Sequence, residues 1–523
     1  MNGEHLHQYV KRRSINLIKK IIRIIKKSQY EISGEQFLKF LDTVHISTGE
    51  NKEDNIGVLL CPWVDPFLPW RNILFALLLK NEGYKNVSLI FNDIWMKYSG
   101  FIPYAHYRRQ TKSINKIIKN SKTITDNLNI IYLSTLQTKD ISKDLYESIQ
   151  KLSRIAAVRY FEGSGNYGTI EYKKMVSCFE DIFYYFAPYF ESCVTKYNWD
   201  KLLTQGGLFM ESGLLLECAV ENNVSVVTYD SAPSGFFIGN GTPAARCMDI
   251  AKAVKLLKSR VNMQEIYSRA MQIMEKRKNR ESDVAPHMKS KVIQTAEYGH
   301  GDIDNYDIVI FLNVEIDTAA LGLHEVFEND YLWITRTIEY LIQNTNYTIA
   351  IREHPLQRED GRTNLSDTIR EYNKNKRIHY YEYDADINSY DLIERSKVVL
   401  VLSSSIGIEA AMCGKRVVLE SNCYYSDASF VKHAKNEEEY FQYIINAVND
   451  DEKVSEEDKW EAGLYYYLSQ ACGSVGTEIH GFSKWVQKEF QDIASDKEMK
   501  LILEALMDGE PLSLKLYNQE EGL

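Results

Sequence analysis

Apolar and polar positions fall along the chain in blocks that predict two successive α/β units. After the polar stretch Ser47–Asn55, the run Ile56–Leu60 reads as a short buried strand. It leads into a loop with Pro62, Pro66 and Pro69, then an apolar helix from about Asn72 to Asn81, a stop at Gly83 and a second strand over Val87–Phe91. Strand, loop, helix, strand is the opening of a doubly wound parallel sheet. Further strands are predicted at Ile130–Leu133, Ile155–Tyr160 and Val224–Tyr229, with a helix over Glu211–Glu221. A helix from about Val261 and the charged segment Glu275–Asn305 lead to the second block. Its predicted strands are Ile308–Leu312, Tyr347–Arg352, Ile378–Tyr381, Val398–Leu402 and Arg416–Leu419. Helices at Asp330–Gln343, around Thr368, at Tyr390–Arg395 and at Ile406–Cys413 alternate with them. The tail after Asn436 reads as helical and acidic.

This pattern divides the chain into an N-terminal helical segment (1–50), a first α/β domain (51–290), a second (300–435) and a helical C-terminal region (436–523). The fold class is α/β, with two doubly wound, Rossmann-like domains facing a cleft. Within the first segment, Ile15, Ile18, Ile21, Ile22 and Ile25 recur at helical spacing, while Arg12, Arg13, Lys19, Lys20, Arg23, Lys26 and Lys27 line the other face. A basic amphipathic helix over residues 9–27 suits peripheral contact with an anionic membrane, or docking on the protein's own core with a solvated basic face.

Composition narrows the function. The formal net charge of −10 argues against a general nucleic-acid binder, which needs a basic excess to neutralise phosphates. The eight cysteines are scattered without a C-x-x-C pair, which argues against structural zinc and a disulfide scaffold and suits a reducing cytoplasm. No apolar run reaches the roughly 20 residues needed to span a bilayer. There is no P-loop, G-x-G-x-x-G or G-x-S-x-G, so kinase, dehydrogenase and α/β-hydrolase readings lack their residues.

The most specific signal lies in the second domain. One strand ends in Arg352-Glu353-His354-Pro355, and another ends in Ser403-Ser404-Ser405 before a helix that begins Ile406-Gly407-Ile408-Glu409. Ligands of open α/β sheets bind beyond the carboxyl ends of the strands, where both motifs fall. Serine hydroxyls and free backbone N–H groups at a helix start suit a phosphate. His354 can donate to the same phosphate and stabilise a departing nucleotide. Arg352 adds a charge-assisted donor, Pro355 holds His354 extended, and Glu409 can accept from ribose hydroxyls.

These motifs resemble those of bacterial capsule and lipopolysaccharide glycosyltransferases with the GT-B fold, closest to the sialyltransferase and Kdo-transferase families that use CMP-sugars. The resemblance spans residues 305–435, and Asn313–Asp317 with Trp333 resembles a segment of capsular polysaccharide biosynthesis proteins. It implies that His354 and Ser403–Ser405 hold the nucleotide phosphate, that a CMP-sugar is the favoured donor and that the reaction is metal-independent and inverting. It also implies a glycan or lipid-linked glycan acceptor and no cofactor, the nucleotide sugar being a substrate. Polyol-phosphate (CDP-glycerol-type) transferases share the layout, and a non-catalytic nucleotide- or glycan-binding assembly protein is a further alternative. A sugar-nucleotide epimerase of this shape would carry an S-G-G-x-x-E-E type loop, absent here.

The first domain is expected to supply the acceptor site and the base. In the sialyltransferases a pair of acids before a glycine carries the base; here Glu162-Gly163 remain and Phe161 stands at the first acid. A carboxylate beside flexible glycines can take a proton from an acceptor hydroxyl. Asp65, in the first strand-to-helix loop beside Trp63 and Trp70, and Asp230, after strand Val224–Tyr229, are the competing candidates. Gly206-Gly207, ahead of the helix bearing Glu211, can shape a close approach to a sugar. Asp384-Ala385-Asp386 has metal-site spacing but reads as a turn, and no metal ligand set is expected.

Overall fold

The computed structural model describes residues 30–47, 51–104, 106–164, 167–232, 235–279, 304–357, 364–475 and 485–522. The basic segment 9–27 lies outside the described residues. Two six-stranded sheets organise the chain. The first consists of β1 (Lys52–Leu60), β2 (Tyr84–Phe91), β3 (Asn129–Tyr132), β4 (Lys201–Gln205), β5 (Val226–Ala232) and β6 (Gly235–Asn240), in the order β3-β2-β1-β4-β5-β6. All neighbours are parallel except the β5–β6 hairpin. The second consists of β7 (Tyr306–Phe311), β8 (Ile349–Arg352), β9 (Ile378–Tyr381), β10 (Ser396–Val401), β11 (Arg416–Leu419) and β12 (Val431–His433), all parallel, in the order β12-β11-β10-β7-β8-β9. Winding reverses between β1 and β4 in one sheet and between β7 and β10 in the other, so each sheet opens a crevice at its carboxyl edge.

The central strands read as unbroken apolar runs because helices cover both faces. In β1 there is no in-and-out alternation, since Ile56 and Val58–Leu60 are all fully buried. The helix Leu68–Asn81 is buried from Leu68 through Leu79, as a helix hydrophobic all round must be. It begins four residues before the expected Asn72, because Pro69 is tolerated in a first turn.

Three parts differ from the sequence reading. Ile155–Tyr160 is the last part of helix Lys143–Phe161, not a strand. Leu145, Ile149 and Leu152 extend its buried face at helical spacing, and Ser142 caps it by accepting from the Leu145 N–H. Strands β4, β6 and β12 are additional. β4 is five residues long and β12 three, too short to stand out by pattern. The tail is mostly helical, but it divides between the two cores. Helix Glu456–Gln470 packs with helices Asp249–Leu257 and Met263–Lys278 under the second sheet. Trp485, Phe490 and the helix Lys497–Asp508 return to the first core, where Trp485 meets Phe40 edge-on at 5.1 Å. The last helix, Leu512–Glu520, passes back to the second core through Leu514 and Tyr517, so three crossings of the chain tie the halves together. Among the described residues no helix is long and apolar enough to cross a membrane.

Candidate functional site

On the second sheet, β10, β7 and β8 lie side by side, so the residues after each meet at one edge. Ser403 follows β10 and accepts from the Asn313 amide that follows β7, at 3.2 Å. The Ser404 hydroxyl accepts from the Ile406 N–H at 3.4 Å, while its carbonyl accepts from the Tyr425 hydroxyl at 2.7 Å. Ser405 precedes the helix Ile406–Met412 and makes no side-chain cap. A side chain at Gly407 would stand 2.8 Å from Val401 and 2.9 Å from the Tyr425 hydroxyl, so glycine is needed to seat this turn on the strand end.

His354 follows β8 and is partly exposed. Its Nδ1 accepts from the Leu356 N–H at 3.1 Å, which leaves the proton on Nε2. Burial pushes the imidazole down to about 4; the Asp317 carboxylate opposes that and the Arg352 guanidinium adds to it. At neutral pH His354 is thus a neutral N–H donor. Imidazole and hydroxyls share one edge around the β7/β10 reversal.

Other expected residues take different places. Arg352 is buried, and its guanidinium donates to the carbonyls of Glu382 and Ala385 (3.3 Å), bracing the loop after β9. Its neighbour Glu353 accepts from Ser366 and the Tyr383 N–H. Pro355 is exposed in the turn that follows. Glu409 is buried and pairs with Arg277 at 3.1 Å, beneath the helix instead of over the sheet edge. Helix Met263–Lys278, which supplies Arg277, belongs by sequence to the first domain, so this pairing has no signal in the motif itself. Asp384 and Asp386 flank the turn that Arg352 braces. Among the described residues no group of three or more His, Cys, Asp or Glu side chains could hold a metal ion.

On the first sheet, loops after β1, β4 and β5 meet at the reversal. Arg71, fully buried in the first helix, donates to the Ser231 hydroxyl at 2.8 Å and to Gln205 at 3.1 Å. Asp230 and Asp65 both act on it electrostatically. Asp65 also accepts from the Phe67 N–H at 2.8 Å. Burial raises the Asp230 carboxyl; the Ser231 N–H and Arg71 oppose this, and Asp317 of the opposite sheet raises it further. Asp317 therefore acts on both His354 and Asp230, across the cleft. Arg71 and Gln205 carry no signal in the sequence, because only the reversal between β1 and β4 brings them together. Gly206 sits in the left-handed region (φ 71°) with the Trp63 ring beside it. Glu211 is buried, accepts from the Trp95 indole at 2.5 Å and Asn92 at 3.0 Å, and burial pushes it up to about 7.

Glu162 does not follow a strand. It caps the C-terminus of helix Lys143–Phe161 with φ 60°, exposed to solvent. The same turn serves as a clasp between the halves. The Ser164 N–H and hydroxyl both donate to Glu315, at 2.8 and 2.5 Å, and Tyr167 reaches Glu328. Arg246 donates to the Leu321 carbonyl at 2.5 Å. The segment after β7 is in turn fastened to its own sheet by His324, which bridges Glu420 (2.5 Å) and Asp330 (3.5 Å).

Residues 287–440 match the sequence model of a family described as capsule polysaccharide biosynthesis protein. The expected resemblance to capsule proteins holds over that span, which contains the whole second sheet. Among solved structures, the β-Kdo 2,7-transferase of Thermosulfurimonas dismutans KpsC is 16% identical, with 53% of this chain and 79% of that chain covered at a TM-score of 0.31. A glycosyltransferase from Rickettsia africae is 10% identical, over 87% and 99%, at 0.25. A UDP-GlcNAc 2-epimerase from Methanocaldococcus jannaschii is 11% identical, over 78% and 98%, at 0.23. No curated protein matches the chain. The fold assignment rests on the strand orders themselves: two Rossmann-like sheets, each doubly wound, facing one another.

Proposed function

We propose that this protein is a metal-independent glycosyltransferase that moves a sugar from a nucleotide-activated donor, with a CMP-sugar favoured, to a surface-polysaccharide or lipid-linked glycan acceptor. The observation that carries the reading is the convergence of His354 and Ser403–Ser405 at the β7/β10 reversal, inside the span matched to capsule proteins. The donor phosphate lies on this edge and the acceptor on the facing edge, near Asp230, Asp65 and Trp63.

In the inverting step, the acceptor oxygen attacks the anomeric carbon as the bond from that carbon to the phosphate oxygen breaks. Asp230 takes the hydroxyl proton; its raised carboxyl favours proton acceptance over that of an ordinary aspartate. The departing phosphate gains the Nε2–H of His354 and the serine hydroxyls as donors aimed at the developing charge. Asp230 is preferred over Glu162 because it shares a charged neighbourhood with Asp317 and His354, whereas Glu162 is an exposed helix cap. Asp65 acts electrostatically on Arg71. The basic segment 9–27 supplies peripheral contact with an anionic membrane.

The test is a panel of CMP-, UDP- and GDP-sugars with CDP-glycerol, read as donor turnover with wild type, Asp230→Asn and His354→Ala. Turnover of a nucleotide sugar, reduced in both variants, is expected. Turnover of CDP-glycerol alone selects the polyol-phosphate class. Nucleotide binding without turnover, unchanged in Asp230→Asn, selects a non-catalytic role.

A further inference from the structure

Rings from three elements line up on the carboxyl edge of the first sheet, the edge that carries Asp65 and Asp230. The loop after β2 supplies two of them. It is pinned at its start, where Asp93 accepts from the Ser134 N–H (2.8 Å) and hydroxyl (2.6 Å) and Glu211 holds Asn92 and Trp95. At its end helix Tyr107–Asn120 begins, and Gln110 of that helix accepts from the Trp63 N–H at 2.8 Å. Trp63, in the loop after β1, is thereby fixed beside it. Tyr30 closes the joint: its hydroxyl donates to the Trp63 and Val64 carbonyls, at 3.3 and 2.7 Å, and its ring stacks on His106 at 5.9 Å. From His106 the row continues to Tyr104 at 6.1 Å, and from there to Tyr160, again at 6.1 Å. Tyr160 stands one residue before the end of helix Lys143–Phe161.

Both ends of the row come back to the loop after β4, at the reversal. Trp63 lies against Gly206, and Arg159, next to Tyr160, lies 5.7 Å over the Phe209 ring. Arg159 also donates to the Ile316 carbonyl of the other half at 3.5 Å, one residue before Asp317. The rings therefore bow around the mouth of the cleft. Tyr160 is 37% exposed, and Trp63, Tyr104 and His106 are partly exposed. Among the described residues, the Trp63 indole N–H and the Tyr104 and Tyr160 hydroxyls have no hydrogen-bond partner. Buried tyrosines close by do find one, Tyr30 at Val64 and Tyr229 at Asn72. Burial raises the Tyr104 hydroxyl to about 12; Arg159 opposes this, while Tyr160 and Glu162 add to it. Arg159 and Glu162, exposed and of opposite sign, thus border the Tyr104 ring.

We propose that this row of rings is the track for the acceptor, and that the acceptor is a glycan chain several sugars long. The proposal rests on the glycosyltransferase reading and extends it. A pyranose has a face of C–H groups and a rim of hydroxyls, and partly exposed rings with unbonded polar tips match both. The 6.1 Å steps are close to the advance of one sugar along an extended glycan, so a single chain meets Tyr160, Tyr104 and Trp63 in turn. A diphosphate headgroup would instead require paired cations, and Arg159 beside Glu162 offers no net charge. The growing end of the chain reaches Asp230 at the reversal, and sugars remote from it hold the reacting hydroxyl in place.

The test uses full-length protein on an array of bacterial capsular and O-chain polysaccharides with their fragments, from monosaccharides upward. Wild type is expected to bind a polysaccharide, with affinity that climbs with fragment length and then levels off. Tyr160→Ala should weaken binding of the long fragments by at least about fivefold and leave that of monosaccharides unchanged. Tyr104→Phe, which keeps the packed ring and removes only the hydroxyl, should shift binding in the same direction by less. Both variants should keep the wild-type melting midpoint and nucleotide affinity. The proposal is overturned if no glycan on the array binds, if monosaccharides bind as tightly as long fragments, or if Tyr160→Ala keeps the wild-type length dependence. The nucleotide-sugar panel separates the two readings. Length-dependent binding without donor turnover sinks the transferase and leaves the glycan track; donor turnover with no length dependence sinks the track alone.

Discussion

Replacing His354 by Asn or Ala tests the nucleotide site at its most informative atom. The Leu356 N–H occupies Nδ1, so the ring has one proton to offer, on Nε2. With the imidazole held near 4, that donor is neutral throughout the physiological range. A neutral donor to a charged phosphate contributes about 1.5–3 kcal/mol, which at 1.4 kcal/mol per decade is a loss of roughly 10- to 150-fold in affinity. Calorimetric titration with CMP, UDP and GDP at about pH 7.5 measures it directly. The same titration between about pH 5.5 and 8 should show no step attributable to His354. Titration of the phosphate itself, near pH 6, affects wild type and variant alike. Stability follows the same shift. The folded pKa lies below that of a free histidine, so the unfolded chain takes up the proton first. Stability present above about pH 6.5 is then lost as pH falls toward 4, and His354→Asn removes that loss. A change in affinity of less than about threefold, or a drop across pH 6 to 7 that disappears in His354→Ala, would refute the neutral-donor argument.

Three other groups give measurable outcomes. Glu211 ionises in the unfolded chain near 4.5 but only near 7 when folded, so stability falls as pH rises between those values. Glu211→Gln should abolish that slope and raise stability at about pH 8 by up to roughly 3 kcal/mol, read by urea denaturation. Arg277→Met leaves the buried Glu409 carboxylate without its partner and should cost about 3–5 kcal/mol, most of it recovered in Arg277→Met/Glu409→Met. His324, raised to about 10 chiefly by Glu420 against the opposing effect of burial, stabilises fully below pH 6.5, and its contribution is lost as pH rises through 10. Thermal melts of His324→Gln should lack that alkaline decline.

Much of the architecture could be read from apolar runs alone. Short parallel strands such as Ile378–Tyr381 and Arg416–Leu419 coincide with their predicted bounds because turn residues close a short apolar run at both ends. The run Ile155–Tyr160 is ambiguous by the same reasoning, and only the helical packing of Leu145, Ile149 and Leu152 beneath it decides its state. His354 and Ser403–Ser405 are legible as a pair, since a strand end dictates where its next side chains stand. Arg352 and Glu409 lie in the same motifs yet turn away, because the direction of a long side chain depends on which loop carbonyl or buried cation lies within reach.

Local sequence thus determined most of the elements, their alternation and the edge on which chemistry gathers, all of which follow from periodicity within about 20 residues. Tertiary structure decided the strand order, which brings Arg71, Gln205 and Ser231 together from three separate stretches of chain. It also decided that Asp317 acts on Asp230 across the cleft, and that the tail returns to the first core. Contacts between residues far apart along the chain have no local period, and their partners are chosen only when the two sheets are packed.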